Sequence, residues 1–99
     1  MREIRDIAED IREEIDGAKH YAELAAKMKG TMFADTYAEM ARAELGHVDK
    51  LHNMAVQMIN EQKAKGIVPP ASMKAVWDWE HDRMIDKVAQ IKHILDMAK

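Results

Sequence analysis

No cysteine occurs in the 99-residue chain. That absence removes disulfides, thiolate metal sites and cysteine nucleophiles together. Glycine and proline are scarce, at four and two residues, so few positions can interrupt regular structure. No apolar run approaches the roughly 20 residues of a membrane span. No basic block is present either. The formal net charge is −3, with both signs interspersed, which offers no evident surface for nucleic acid or an anionic membrane. No nucleophile–base arrangement, phosphate loop or nucleotide-binding glycine cluster can be read from the sequence. The stretch MREIRDIAEDIREEID is acidic and amphipathic, unlike a signal peptide, and a cytoplasmic location is the expectation.

What is present suits helices. Apolar residues make up 47% and charged residues 33%, a balance that fits one ordered helical domain over residues 1–99. A domain this small buries a modest core, and small helical chains often gain stability by associating. Gly30 closes a long periodic stretch, as a glycine just past a helix end does, and Thr31 then stands where it can cap the next helix. Lys65-Gly66-Ile67-Val68-Pro69-Pro70 forms the second break, with proline suited to the first turn of the following helix. The pattern predicts an all-α chain with helices near 3–29, 32–64 and 70–98. The first two would fold as an antiparallel hairpin.

Three ionisable residues interrupt the apolar stripes. Helix 1 carries Ile4, Ile7, Ile11, Glu14, Ala18, Tyr21, Ala25 and Met28 at alternating gaps of three and four, which is one helical face. Helix 2 carries Phe33, Tyr37, Met40, Glu44, His47, Leu51, Met54 and Met58 in the same manner. A carboxylate buried without a partner costs several kcal/mol, so such groups are paired or bind metal. One such residue is usually an inter-helix ion pair or a stripe edge near solvent. Here all three meet. With the first turn centred near residues 30–31, Glu14 and His47 both lie roughly 24 Å from it at 1.5 Å per residue. Glu44 is one turn closer, level with Gly17 and Ala18. Gly17 costs on the order of 1 kcal/mol relative to alanine inside a helix. It serves either close helix packing or room for a neighbouring helix or a ligand beside Glu14.

Glu44-Leu45-Gly46-His47 is an E-x-x-H motif, whose i, i+3 spacing stacks carboxylate and imidazole on one face. Hard carboxylates with imidazole suit iron or manganese, with zinc a common substitute. The motif arises by chance in charged helices; its place on the stripe, level with Glu14, is what raises its weight.

These residues resemble the ferritin-like superfamily. Glu14-Ile15-Asp16-Gly17-Ala18-Lys19-His20-Tyr21 is similar to the first metal helix of rubrerythrins, with a tyrosine seven residues after the ligand glutamate. Glu44 to His47 matches the ligand motif of their next helix. The separation between Glu14 and Glu44 resembles the half-length encapsulated ferritins, whose site forms between two subunits. The resemblance covers about residues 7–60. It implies a ferritin-like four-helix bundle formed by dimerisation of the hairpin-plus-helix chain. It also implies a di-iron site with Glu14, Glu44 and His47 as metal-binding and catalytic residues. The implied activity is oxidation of Fe(II) with O₂, a ferroxidase-type oxidoreductase reaction, in a homodimer or higher homo-oligomer. Glu13 and Asp16 flank Glu14 much as metal-entry carboxylates do in that family, although a solvated acidic face explains them more simply. The chain ends Ile94-Leu95-Asp96-Met97-Ala98-Lys99, not in the short Gly-Ser-Leu tail usual for encapsulated ferritins. A protein-shell partner is left open without its targeting signal.

Other candidates rank lower. Glu80 shares a stripe with Met73, Trp77, Met84, Val88, Ile91 and Leu95. Level-matching about the second turn sets it opposite Met54, roughly 10 Å from the His47 level, so a structural role is expected and a metal role is secondary. Asp78 and His81 echo the main motif as D-x-x-H and share that position. His20, His52 and His93 are expected at the surface. Tyr21 is expected in the core, or as a hydrogen-bonding or electron-donating neighbour of the ligands, and Tyr37 in the core. The methionines are expected to fill gaps rather than bind metal. Trp77 and Trp79 fall on different sides of helix 3, one suited to the core and the other to an inter-subunit contact. The rival reading is a non-catalytic oligomerisation or adaptor module, in which Glu14, Glu44 and His47 form a buried polar network that fixes helix register.

Overall fold

The computed structural model describes residues 4–67 and 71–99, leaving out the side chains of residues 71–73 and 76. The expected proline start of the third helix, at residues 69 and 70, lies outside them. Three helices make up the described chain: α1 (Ile4–Lys27), α2 (Met32–Ala64) and α3 (Ala71–Met97). The all-α expectation holds, and no strand occurs among the described residues. No described helix is long and apolar enough to cross a membrane.

The turns follow from their glycines. Gly30 adopts φ 87° and Gly66 φ 77°, the left-handed region where a Cβ is penalised. At the end of α2 the Ile67 amide donates to Gln62 O at 2.9 Å and the Gly66 amide to Lys63 O at 3.0 Å. Those are the two bonds of a Schellman ending. Thr31 occupies the N-cap position of α2 but makes no side-chain cap bond. Its hydroxyl instead donates back to Met28 O at 2.7 Å. The residue closes the turn behind it and leaves the first amides of α2 to other partners.

α1 and α2 form the antiparallel hairpin. Glu14 lies beside His47 and Tyr21 beside Tyr37, so partner numbers fall along α2 as they rise along α1. α3 packs chiefly on α1, joined to it by an Arg12–Glu80 ion pair at 3.6 Å. The molecule is elongated, 54 × 20 × 15 Å with a radius of gyration of 16.0 Å. A compact chain of this length would give about 13 Å.

The core is built from two lines of mostly small residues. Ile7, Ile11, Ile15, Ala18, Ala22 and Ala25 of α1 meet Ala34, Ala38, Ala41, Leu45, Val48 and Ala55 of α2. Ile91, Leu95 and Ala98 close it from α3. The expected stripe on α2 is therefore rotated. Phe33, Met40 and Met54 remain 58%, 38% and 47% exposed, and Tyr37, Leu51 and Met58 are only partly buried. Alanines bring the two helix backbones close, and the larger apolar side chains are displaced to the flank. The consequence is an apolar seam along the open side of the hairpin.

Candidate metal centre

Glu14 on α1 and Glu44 with His47 on α2 converge. Each offers a ligand atom, and these atoms lie within 4.8 Å of one another. Among the described residues no other group of three or more histidine or carboxylate side chains does so. His47 Nδ1 lies 3.4 Å from Glu14 Oε2 and donates to it in the tautomer protonated at Nδ1. Helix geometry explains the meeting. The i, i+3 pair Glu44–His47 spans one turn of α2, and the antiparallel register sets that turn against Glu14.

Gly17 completes the cradle. A Cβ at this position would stand 3.3 Å from Glu44 Oε2, so an alanine would press on the carboxylate. What stands against Gly17 is the Glu44 side chain of the neighbouring helix, so close helix packing and room for Glu44 beside the cluster are served together.

The two carboxyls interact directly. The Glu44 carboxyl is raised above its ordinary range, first by its hydrogen bond with Glu14, then by desolvation, then by the Glu14 charge, while His47 pulls the other way. A hydrogen bond between two carboxyls requires that one of them carry a proton. A dication between them would do the same work with more charge. Two carboxylates and an imidazole with ligand atoms within 4.8 Å of one another form a donor set that fits iron or a similar cation.

The cluster is less buried than the stripes predict. The His47 side chain is 51% exposed and that of Glu14 30%. The cause is the rotation of α2: His47 falls in line with Phe33, Met40 and Met54, seven residues apart, on the open face. The donors therefore look outward from the hairpin.

Glu80 is placed elsewhere. Its carboxylate pairs with Arg12, and residues 12 and 14 stand about 200° apart around a helix. Glu80 thus sits on the far side of α1 from Glu14. Glu13 and Asp16 are exposed, as a solvated acidic face requires. Trp77 packs against the core, while Trp79 is 55% exposed with the Arg83 guanidinium 4.6 Å above its ring. Tyr21 and Tyr37 stack, with centroids 6.4 Å apart, two helical turns from Glu14 and Glu44 toward the hairpin turn. His52, expected at the surface, is instead half-buried between α2 and α3 against Trp77 and His81. Level-matching about the second turn could have found this pair, since residues 52 and 81 lie almost equally far from it.

Comparison with known proteins adds one finding. The Rubrerythrin family model matches residues 7–97, nearly the whole chain. No curated protein and no solved structure matches it.

Proposed function

The chain belongs to the rubrerythrin family, and on that footing we propose that it is a di-iron carboxylate protein that binds Fe(II) and oxidises it with O₂ at a site shared between two copies. Members of the family typically bind iron. The observation that carries the reading is the convergence of Glu14, Glu44 and His47 within 4.8 Å, with Glu44 seated against Gly17.

Each residue has a chemical task. Glu44 exchanges the proton it shares with Glu14 for a metal ion. Together the two carboxylates supply negative charge, which favours the more highly charged ferric product. His47 provides a nitrogen donor, and its 3.4 Å contact with Glu14 Oε2 orients the ring. Fe(II) is the substrate in this scheme: each ion gives one electron to O₂.

The ligand count argues for a second copy. A di-iron site of this class uses a glutamate from each of two helices and an E-x-x-H from each of two others. One chain offers half of that. Two copies related by a twofold axis offer all of it, because a closed dimer presents the same patch from both sides. The half-set also lies on an apolar seam that one chain leaves uncovered. Both this reading and the adaptor alternative called for a buried Glu/His set, and the half-exposed His47 departs from both in the single chain.

The test is Glu44→Ala. The variant should keep its helix content and lose both iron occupancy and Fe(II)-dependent O₂ uptake. Removing this carboxyl leaves a small cavity but also relieves its interaction with Glu14. Full occupancy and an unchanged oxidation rate would rule Glu44 out as a ligand.

A further inference from the structure

The strip of α2 that carries His47 also carries a thioether on either side of it. Met40 and Met54 stand seven residues before and seven after His47. Seven residues return to the same helical face within about 20°, and each methionine lies about 10 Å along α2 from the imidazole. Both are open to solvent in the single chain, Met40 at 38% and Met54 at 47%. Met54 also lines an open groove with Ile7 and Met58. The chain has nine methionines and no cysteine, so thioethers are its only sulfur groups. The other described methionines lie farther off or face elsewhere. Met32 and Met97 are more exposed, at 80% and 59%, but Met32 is roughly 22 Å along α2 from His47 and Met97 ends α3. Met28 and Met58 are half-buried. Met84 lies in the cleft between α1 and α3 with Arg12 and Glu80, on the side of α1 turned away from Glu14.

Oxidation of Fe(II) supplies an oxidant at this place. Two Fe(II) ions give one electron each, and O₂ takes up both with two protons to become H₂O₂. A thioether reacts with H₂O₂ in one two-electron step. One peroxide oxygen bonds to sulfur, the O–O bond breaks, and the other oxygen leaves as water. No further reagent is needed. The sulfoxide formed is polar where the thioether was apolar. We propose that Met40 and Met54 are modification sites, oxidised to sulfoxides by peroxide released at the Glu14, Glu44 and His47 cluster, and that this oxidation separates the paired copies. The proposal rests on the di-iron reading and adds to it a self-limiting regulation of the same site.

The link from oxidation to separation is the seam itself. A sulfoxide buried there is a hydrogen-bond acceptor without a partner, which is unfavourable, and each dimer would hold such groups from both chains. The full ligand set exists only in the dimer, so separation leaves each chain with half of it and stops further Fe(II) oxidation. Peroxide that is consumed elsewhere leaves the seam intact, whereas peroxide that accumulates disperses the site. Methionine sulfoxide is reduced enzymatically, so the loss is reversible. Proximity and exposure rank the thioethers in opposite orders. An oxidant from the bulk takes Met32 and Met97 first, by exposure. An oxidant made at the cluster takes Met40 and Met54 first, by distance. Closure of two copies sharpens the contrast, because it covers Met40 and Met54 from the bulk but not from the cluster.

The experiment compares the two orders. Wild-type chain loaded anaerobically with Fe(II) is exposed to O₂ in the presence of catalase, which destroys peroxide that reaches the bulk. A second sample, iron-free in chelator and without catalase, receives H₂O₂ directly. Peptide mapping by mass spectrometry should find sulfoxide at Met40 and Met54 ahead of Met32 and Met97 in the first sample, and the reverse order in the second. Sedimentation of the first sample should show the dimer dissociation constant raised at least about tenfold, and methionine sulfoxide reductases should restore it. The Met40→Leu, Met54→Leu double variant keeps the apolar volume and should stay dimeric through the same treatment. The proposal is overturned by exposure order in both samples, by unchanged association of protein oxidised at both positions, or by a double variant that separates as the wild type does. Without Fe(II)-dependent O₂ uptake the di-iron reading falls and takes the peroxide source with it. Uptake accompanied by exposure-ordered sulfoxides overturns this proposal alone.

Discussion

Gly17 separates two demands that a helix position seldom separates. Its backbone is helical and lacks the positive φ of Gly30 and Gly66, so alanine should gain about 1 kcal/mol of helix propensity there. Yet the added Cβ would meet Glu44 Oε2 at 3.3 Å, and the flexible carboxylate would move away. Gly17→Ala should therefore raise the melting temperature of the metal-free protein by about 4–8 °C while weakening metal binding. Gly46, with open space around it, supplies the control: Gly46→Ala should stabilise without altering metal affinity. Parallel calorimetry and iron titration of the two variants check this, and equal metal affinity in both would remove the cradle role of Gly17. Glu44 carries a pH signature at the same scale. Its folded carboxyl holds a proton more tightly than the unfolded chain does. The stability this brings is present at acid pH, below the unfolded value, and is lost as pH rises through the raised folded value. Thermal melts of metal-free protein should show the wild type losing stability relative to Glu44→Gln across that window. A wild type that gains on the variant there would contradict the shared proton.

At the scale of elements, the sequence was legible where one residue type dominates and misleading where two compete. Gly30 and Gly66 mark the turns because only glycine takes their φ without strain, and the level of Glu14 against Glu44 and His47 follows from counting outward from the first turn. The buried face of α2 was not legible. Phe33, Met40 and Met54 look like core by hydrophobicity, but the closest packing is reached by Ala34, Ala38 and Ala41, whose value lies in smallness rather than apolar area. The same competition hid His52. Its neighbours along α2 give no hint of burial, and only its partners on α3 supply one. α3 yields the prediction at this scale. Glu80 reaches Arg12, whose side chain is 51% exposed, and such ion pairs contribute about 0–1 kcal/mol. Glu80→Gln should cost no more than that in denaturant unfolding and leave iron occupancy unchanged. Lost occupancy would show that α3 reaches a metal site, either here or in a second copy.

The whole molecule is a rod 54 Å long and 20 × 15 Å across, a shape that covers few of its own side chains. Its open face carries Phe33, Met40 and Met54 in line with His47, so apolar seam and metal half-set occupy one strip. If two copies close over that strip, the ions bind the dimer and not the separated chains, and metal must strengthen association by mass action. At a free metal concentration 100 times its dissociation constant, one such ion shifts the dimer equilibrium by about 2.7 kcal/mol, roughly a hundredfold. Sedimentation velocity under anaerobic Fe(II) should show the dimer extending to correspondingly lower protein concentration than in chelator. The seam supplies the complementary perturbation. Phe33 and Met54 are 58% and 47% exposed in the single chain, so Phe33→Lys and Met54→Lys should leave helix content intact. In the dimer each would bury an unpaired ammonium, which is costly. Both variants should therefore shift toward monomer and lose iron occupancy together, with Glu14, Glu44 and His47 untouched. Monomeric variants that still load two irons per chain would separate the seam from the site and require ligands from within one copy.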